Sequence, residues 1–392
     1  MTTFSARSLL FFTIALILFG CEKSTMTDKV TSGELVVRIG ASAPLTGPQA
    51  HIGKDNESGT RMAIDDANAK GVVIGGRKVR FELISEDDQA DPKTATIVAQ
   101  KLVDNKVSGV IGHLNSGTTI PASRIYNDNG IVQISPSATA VAYTAQGFKT
   151  AFRVMANDAQ QGRILGEYAA KNLGAKKIAV IDDQTGYGQG LADEFIKSAK
   201  ANGAQIVAHE FTTDKAYDFT AVLTAVKGKQ PDMLFYAGMD PQAGPMAKQL
   251  KALALKLKFM MGDGGYTPQF IKLAGDAAEG SYASLPGVPL DKMPGGKEFE
   301  QRFVAKYQPI QLYAPYCYDA VNVMIAAMQK AGSVEPAKYL PVLASITHDG
   351  VTAKIQFDDK GDLKGGAITM YQVKSGKWQP LETLGASTTA AH

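Results

Sequence analysis

From Leu35 onward the chain alternates short runs rich in β-branched residues with longer amphipathic stretches, and the alternation restarts after Phe152. Leu35 to Ala41, Val79 to Ile84, Val107 to Gly112 and Ile131 to Ser135 read as strands. Gly53 to Lys70 carries helical apolar spacing, and Asp91-Pro92 supplies an N-cap with proline at the first helical position, opening a helix to about Asn105. After Phe152, strands at Lys177 to Ile181, Gln205 to Phe211, Asp232 to Tyr236 and Phe259 to Gly262 alternate with helices near Gln160 to Leu173, Gln189 to Asn202, Phe219 to Lys227 and Pro245 to Leu255. A strand-helix-strand rhythm requires a parallel sheet covered on both faces, so the sequence predicts an α/β protein of two doubly wound parallel-sheet lobes in tandem. Helical Gly296 to Tyr307 and Pro315 to Ala331, with strand-like Ala353 to Phe357 and Ala367 to Val373, are too little for a third domain and should complete the first two.

A chain of 392 residues, 45% hydrophobic and 20% charged, has enough apolar material for two cores. Lys plus Arg at 41 against Asp plus Glu at 38 is too balanced for nucleic acid or an acidic membrane surface to be the main partner. The first residues differ from the rest. Arg7, an uninterrupted apolar or small stretch from Leu9 to Gly20, and polar residues from Glu22 follow the order of a secretory signal. A membrane span takes roughly 20 apolar residues, and neither this stretch nor any later one reaches that without charges, so the mature chain is expected outside the cytoplasm and not membrane-spanning. Leu18-Phe19-Gly20-Cys21 resembles the lipobox of bacterial lipoproteins, which makes Cys21 a lipidation site. The alternative is an incidental cysteine before an ordinary cleavage site, although no Ala-x-Ala-like site follows closely. Cys317 is then alone, with no intramolecular disulfide partner, and reads as a buried small residue. No heptad run argues for assembly, so a monomer is expected.

Motifs for cofactor or enzymatic chemistry are near misses. Gly186-Tyr187-Gly188-Gln189-Gly190 lies between a strand and a helix, but a dinucleotide fingerprint needs its third glycine one position later, and Asp182 to Thr185 intervene. Gly47 to Gly53-Lys54 has five residues rather than four between its glycines, and Asp55 stands where a phosphate-binding loop needs a hydroxyl. His51, His113, His209, His348 and His392 have neither His-x-x-x-His spacing nor neighbouring cysteines, so no metal is expected. No Gly-x-Ser-x-Gly elbow and no nucleophile-base pairing occur, which argues against an exported enzyme. Asp87-Asp88 closes a strand ahead of the Asp91 cap and reads as a polar loop.

The turns at strand ends are more informative. Ile111 to Thr119 runs from a strand through a glycine and hydroxyl turn into a helix, where unpaired helix N–H groups and the Ser116 hydroxyl suit a carboxylate. Ser135-Pro136-Ser137-Ala138-Thr139 ends the next strand with further donors, and either turn can equally be a simple N-cap. Asp263, in Met261-Gly262-Asp263-Gly264-Gly265, closes a strand of the second unit, where it can meet an ammonium or merely serve a turn. Tyr187 and Tyr318 can wall a pocket or simply pack.

Gly47-Pro48, Asp87-Asp88, Asp91-Pro92-Lys93, Val110 to Ser123, Ile134 to Ala140, Tyr187-Gly188 and Gly361 to Gly365 together resemble the periplasmic leucine/isoleucine/valine-binding proteins, in the same order over nearly the whole mature chain. The resemblance implies a type I periplasmic binding protein, two lobes joined by a three-segment hinge that closes on a ligand. It divides the chain into a signal at 1–21, a tether at 22–34, lobe one at 35–156 plus 286–350, lobe two at 157–285 plus 351–380, and a flexible tail at 381–392. It assigns the ligand carboxylate to Ser116, Ser137 and Thr139, the ammonium to Asp263, and the pocket wall to Tyr187, Leu114, Asn115, Ile52, Met239 and Tyr318. Some relatives have a disulfide at the positions of Ala90 and Asn115, and it is missing here. The implied role is capture of a branched-chain or related apolar amino acid in the periplasm, without cofactor or catalysis, for an ABC transporter permease, with membrane attachment only through Cys21. Ligand sensing of an amide, urea or other small solute is the alternative the same fold allows.

Overall fold

A computed structural model describes residues 1–2 and 33–385. The signal and Cys21 readings, most of the tether and residues 386–392 therefore lie outside the described residues. The first sheet contains β1 (Leu35–Ala43), β2 (Val73–Ile74), β3 (Arg77–Asp87), β4 (Gly109–Gly112), β5 (Gln133–Ser135) and β6 (Ala151–Arg153), in the order β2-β3-β1-β4-β5-β6. It is parallel apart from the short β2 edge. The connecting helices are α1 (Ala50–Lys70), α2 (Pro92–Asp104), α3 (Ser116–Asp128) and the single turn α4 (Ala142–Ala145). Strands β4 and β5 are buried throughout, as strands covered on both faces must be. Val98 and Leu102 of α2 and Tyr126 of α3 pack with Val110. The predicted cap holds: the Asp91 carboxylate accepts the Thr94 N–H at 2.7 Å, ahead of Pro92.

The second sheet takes β7 (Lys177–Asp182), β8 (Gln205–Phe211), β9 (Met233–Ala237), β10 (Lys258–Met261) and β11 (Tyr282–Pro286) in parallel. Its helices are α5 (Asp158–Lys171), α6 (Gly186–Ala201), α7 (Thr220–Gly228), α8 (Asp240–Ala252) and α9 (Pro268–Ala274). The chain then returns to lobe one with α10 (Gly296–Val304), α11 (Ala314–Ala331), α12 (Pro336–Ala344) and a ribbon of β12 (Thr347–Asp349) with β13 (Lys354–Gln356). Antiparallel β14 (Ile368–Lys374) and β15 (Lys377–Leu384) complete the second sheet, in the order β15-β14-β11-β10-β9-β7-β8. The expected two-lobed α/β architecture is present, with an antiparallel edge on each sheet.

The chain crosses between lobes after β6, after β11 and before β14. Two expected boundaries need correction. Phe357 packs edge-on against Phe152 at 4.9 Å and pairs with Leu363, so Val351 to Leu363 stay with lobe one and the third crossing falls just before Ile368, not at 351. Residues 381–384 are the end of β15 rather than a flexible tail: Pro380 lies on an edge strand at a bulge opposite Met370 and Tyr371, where its missing N–H costs no ladder bond. The first and third crossings are tied together by fully buried Arg153, whose Nε donates to Asp362 at 2.8 Å and whose Nη1 donates to the carbonyls of Ala138 and Ala140 at 2.8 and 3.0 Å. One ion pair thus fixes the hinge and the turn after β5.

Candidate functional site

On the lobe-one wall, β4 ends at Gly112, whose φ of +124° suits glycine and where a Cβ would stand 2.4 Å from the Ser42 carbonyl oxygen. The chain then turns through His113 to Asn115 into α3. Ser116 is buried at the helix start, its hydroxyl accepting the Ala140 N–H at 3.1 Å and keeping its own proton for another acceptor. The Ser116 and Gly117 N–H groups precede the intrahelical ladder, whereas those of Thr118 and Thr119 already donate to Asn115 O, and the macrodipole favours an anion at this end. Thr139 is fully buried, with a hydroxyl that has no partner among the described residues. Ser137 departs from its expected role. It donates its hydroxyl proton to Leu114 O at 3.0 Å, so it clamps two turns together instead of offering a donor to a ligand.

Asp263 forms the lobe-two wall at the end of β10, 1% exposed. Its Oδ1 accepts the Tyr187 hydroxyl at 2.9 Å and Gln161 Nε2 at 3.1 Å, and its Oδ2 accepts the Tyr313 hydroxyl at 2.5 Å. Tyr187 opens α6 in lobe two, whereas Tyr313 precedes α11 in lobe one, so the acid is gripped from both sides. Burial pushes the Asp263 pKa up, opposed by these three hydrogen bonds. Burial together with the Asp263 charge holds the Tyr187 and Tyr313 phenols well above their ordinary range, so both remain donors.

Asp158 joins this site and has no counterpart among the residues expected from sequence. It is fully buried at the start of α5, its N–H donating to Thr139 O at 2.8 Å. The Thr139 hydroxyl is near enough to ease its ionisation but outside hydrogen-bond geometry, and both Asp158 carboxylate oxygens lack a partner among the described residues. Burial first, and the charge of Asp263 second, push its pKa up to about 8. Gln161 Oε1 and Asn115 Oδ1 are likewise buried without partners. Two acids and several unpaired acceptors thus converge, and no basic side chain hydrogen-bonds to either acid among the described residues. Such an arrangement suits a ligand that brings its own cationic donor.

Ile52, Leu114, Met239 and Tyr187 belong to one buried apolar cluster that spans both lobes. Met239 lies against the Gly264 turn, where a Cβ would meet its sulfur at 2.7 Å. Asn115 donates to Gln49 at 2.8 Å. Tyr318 is the exception and corrects the expectation: its hydroxyl donates to Asp66 of α1 at 2.6 Å and its ring packs on Phe299, which makes it a brace among α1, α10 and α11. Tyr313, not Tyr318, supplies the aromatic of this segment to the site. Across the cleft mouth the first turns of α3 and α6 approach until a Cβ on Gly186 would lie 3.4 Å from Gly117 Cα, beside a groove of about 600 Å³. Asp87 and Asp88 organise a loop, as expected, with Asp88 bound to His113 at 2.7 Å. Cys317 is free and buried.

Asp158 and Gln161 carried a signal in the sequence. Positions 158, 161, 165 and 168 form one helical stripe with Leu165 and Tyr168, so two polar side chains stand where apolar ones belong. Tyr313 carried none, because its place follows from how lobe one meets lobe two.

Comparison with known proteins gives the same architecture. Residues 36–377 match the periplasmic binding protein family. The chain is 35% identical over 337 residues to a leucine-, isoleucine-, valine-, threonine- and alanine-binding protein from Pseudomonas aeruginosa, covering 86% of this chain and 89% of that one. A branched-chain amino acid transporter substrate binding protein from Streptococcus pneumoniae, solved with isoleucine, superposes with a TM-score of 0.81 at 28% identity, over 89% of this chain and 99% of the other. A leucine binding protein from Thermotoga maritima gives 0.82 at 26% identity, over 88% and 98%. The family match runs from the first strand of lobe one into the last strand of lobe two, and relatedness of this extent has one consequence: the chain belongs to the periplasmic binding protein family.

Proposed function

We propose that the protein captures a branched-chain or related apolar amino acid between its lobes, outside the cytoplasm, and delivers it to the permease of an ABC transporter. The observation that carries this reading is the pair of neighbouring buried acids, Asp263 and Asp158, which have no basic hydrogen-bond partner among the described residues and stand beside a hydroxyl-lined helix start. The ligand ammonium meets Asp263 and Asp158, and its carboxylate meets the Ser116 and Thr139 hydroxyls and the first amides of α3. The side chain lies against Leu114, Ile52, Met239 and Tyr187. Hydrogen bonds to an ionised carboxylate contribute about 1.5–3 kcal/mol each. Several of them with a buried aliphatic side chain reach the roughly 8 kcal/mol of a micromolar complex. The names of the Pseudomonas and Streptococcus relatives support the same substrate class.

Calorimetric titration with leucine, isoleucine, valine, alanine and threonine, alongside 4-methylpentanoate and leucinamide, tests this. Saturable binding of an amino acid with no detectable binding of the desamino acid supports the reading; preference for the desamino acid, an amide or urea overturns it. For attachment, the Leu18 to Cys21 sequence supports a lipid anchor, and no described helix is long and apolar enough to cross a membrane. Mass spectrometry of the mature protein should find a lipid-modified Cys21, whereas an unmodified Cys21 in the mature chain excludes the anchor.

A further inference from the structure

The two lobes are joined across the cleft by a polar pair outside the acid cluster. His51, in the first turn of α1, places Nε2 2.7 Å from Asp240 Oδ2 at the start of α8. The imidazole is 21% exposed, whereas the Asp240 side chain is fully buried. The acid is held ready within lobe two, because Thr267 Oγ1 donates to the same Oδ2 at 2.6 Å while capping α9 through the Phe270 N–H. Its position at a helix start adds the favourable end of the α8 macrodipole. Within lobe two alone, Asp240 keeps the threonine and the helix end but has no ring nitrogen, so the His51 contact requires the closed arrangement of the lobes. His51 also immediately precedes Ile52 of the apolar cluster.

We infer that His51 is a positioning residue for ligand binding: it latches the closed lobes through Asp240 and sets how long a captured ligand is retained. A latch between the lobes stabilises closed forms, with or without ligand, and leaves the open form that admits ligand alone, so it acts mainly on dissociation. This rests on the amino-acid-binding reading for its ligand but not for the closure itself. The test is made with His51→Ala, His51→Gln and Asp240→Asn. Stopped-flow kinetics with leucine should show dissociation from H51A about tenfold faster than from the wild type, the loss expected for one hydrogen bond to a charged group, with association unchanged within about twofold. H51Q, whose amide can still donate to Asp240, should restore most of the retention. X-ray scattering of the ligand-free proteins should show H51A more expanded than the wild type, with H51Q between them. If no amino acid binds the wild type, the binding reading falls, and scattering alone decides the latch. Equal dissociation rates and equal radii of gyration in wild type and H51A, or a loss in H51A that appears in association, overturn it.

Discussion

Replacing Asp263 with asparagine keeps the shape of the side chain and removes the charge at the centre of the site. The native carboxylate is fully buried, takes three hydrogen bonds from neutral donors and has no cationic hydrogen-bond partner among the described residues. The donors stabilise the anion without neutralising it, so the ligand ammonium is its counter-charge. Removing one partner of a buried ion pair costs about 3–5 kcal/mol. At 1.4 kcal/mol per factor of ten, leucine should bind the variant roughly 150- to 4000-fold more weakly. The ligand-free fold should behave differently. Burial raises the Asp263 pKa, so folding penalises the ionised form at neutral pH, and asparagine carries no such penalty. The unfolding temperature of ligand-free D263N should therefore stay at or above that of the wild type. Calorimetry at pH 7.5 with thermal unfolding of the same samples measures both. Leucine affinity within fivefold of wild type, or a collapse of the ligand-free fold, refutes the counter-charge argument.

Asp158, with its pKa near 8 against an ordinary value of 3.8, is protonated in the ligand-free fold at pH 6.5 and should release that proton to solvent when the charge of an arriving ammonium stabilises its carboxylate. Titration in buffers of different ionisation enthalpy should reveal proton release, and affinity should rise between pH 6 and 8. The linkage sign for stability is the opposite: the folded state holds a proton the unfolded chain has released, so the Asp158 contribution is complete below about pH 3.8 and is lost as pH rises through about 8. Asp158→Asn should flatten both dependences. Tyr313→Phe removes the lobe-one hydrogen bond to Asp263, worth about 1.5–3 kcal/mol for a charged acceptor, and should weaken leucine binding about 10- to 100-fold by calorimetry. Asp362→Ala leaves Arg153 buried without its counter-ion and should lower stability by about 3–5 kcal/mol in denaturant titrations.

The two lobes were legible because buried parallel strands and amphipathic helices write themselves as different periods, and the Asp91-Pro92 cap marks its boundary locally. The placement of Ser116, Thr139 and Asp263 in the cleft was legible because they follow strand ends, where an open α/β sheet places its ligands. What escaped depends on packing between distant segments. Strand β11 lies in Tyr282–Pro286, where proline and small residues mask the pattern, and α12 carries an internal proline at Pro341. Tyr318 and Tyr313 are both aromatics near the start of one helix, and only the docking of α10 and α1 decides that the first turns to Asp66 and the second to Asp263. Ser137 looked like a donor because a hydroxyl in a turn is neutral information until its acceptor, Leu114 O, is known. His51 was read as one of five unclustered histidines, and its partner is 189 positions away.

In this reading one cleft recognises both charges of a zwitterion from opposite walls. A crystal structure of the protein with leucine would locate both charged ends of the ligand. The α-nitrogen should lie within hydrogen-bond distance of Asp263 and Asp158, and the carboxylate on Ser116, Thr139 and the first amides of α3. Leucine bound in the reverse orientation, or ordered anywhere that leaves Asp263 without contact to its nitrogen, contradicts it.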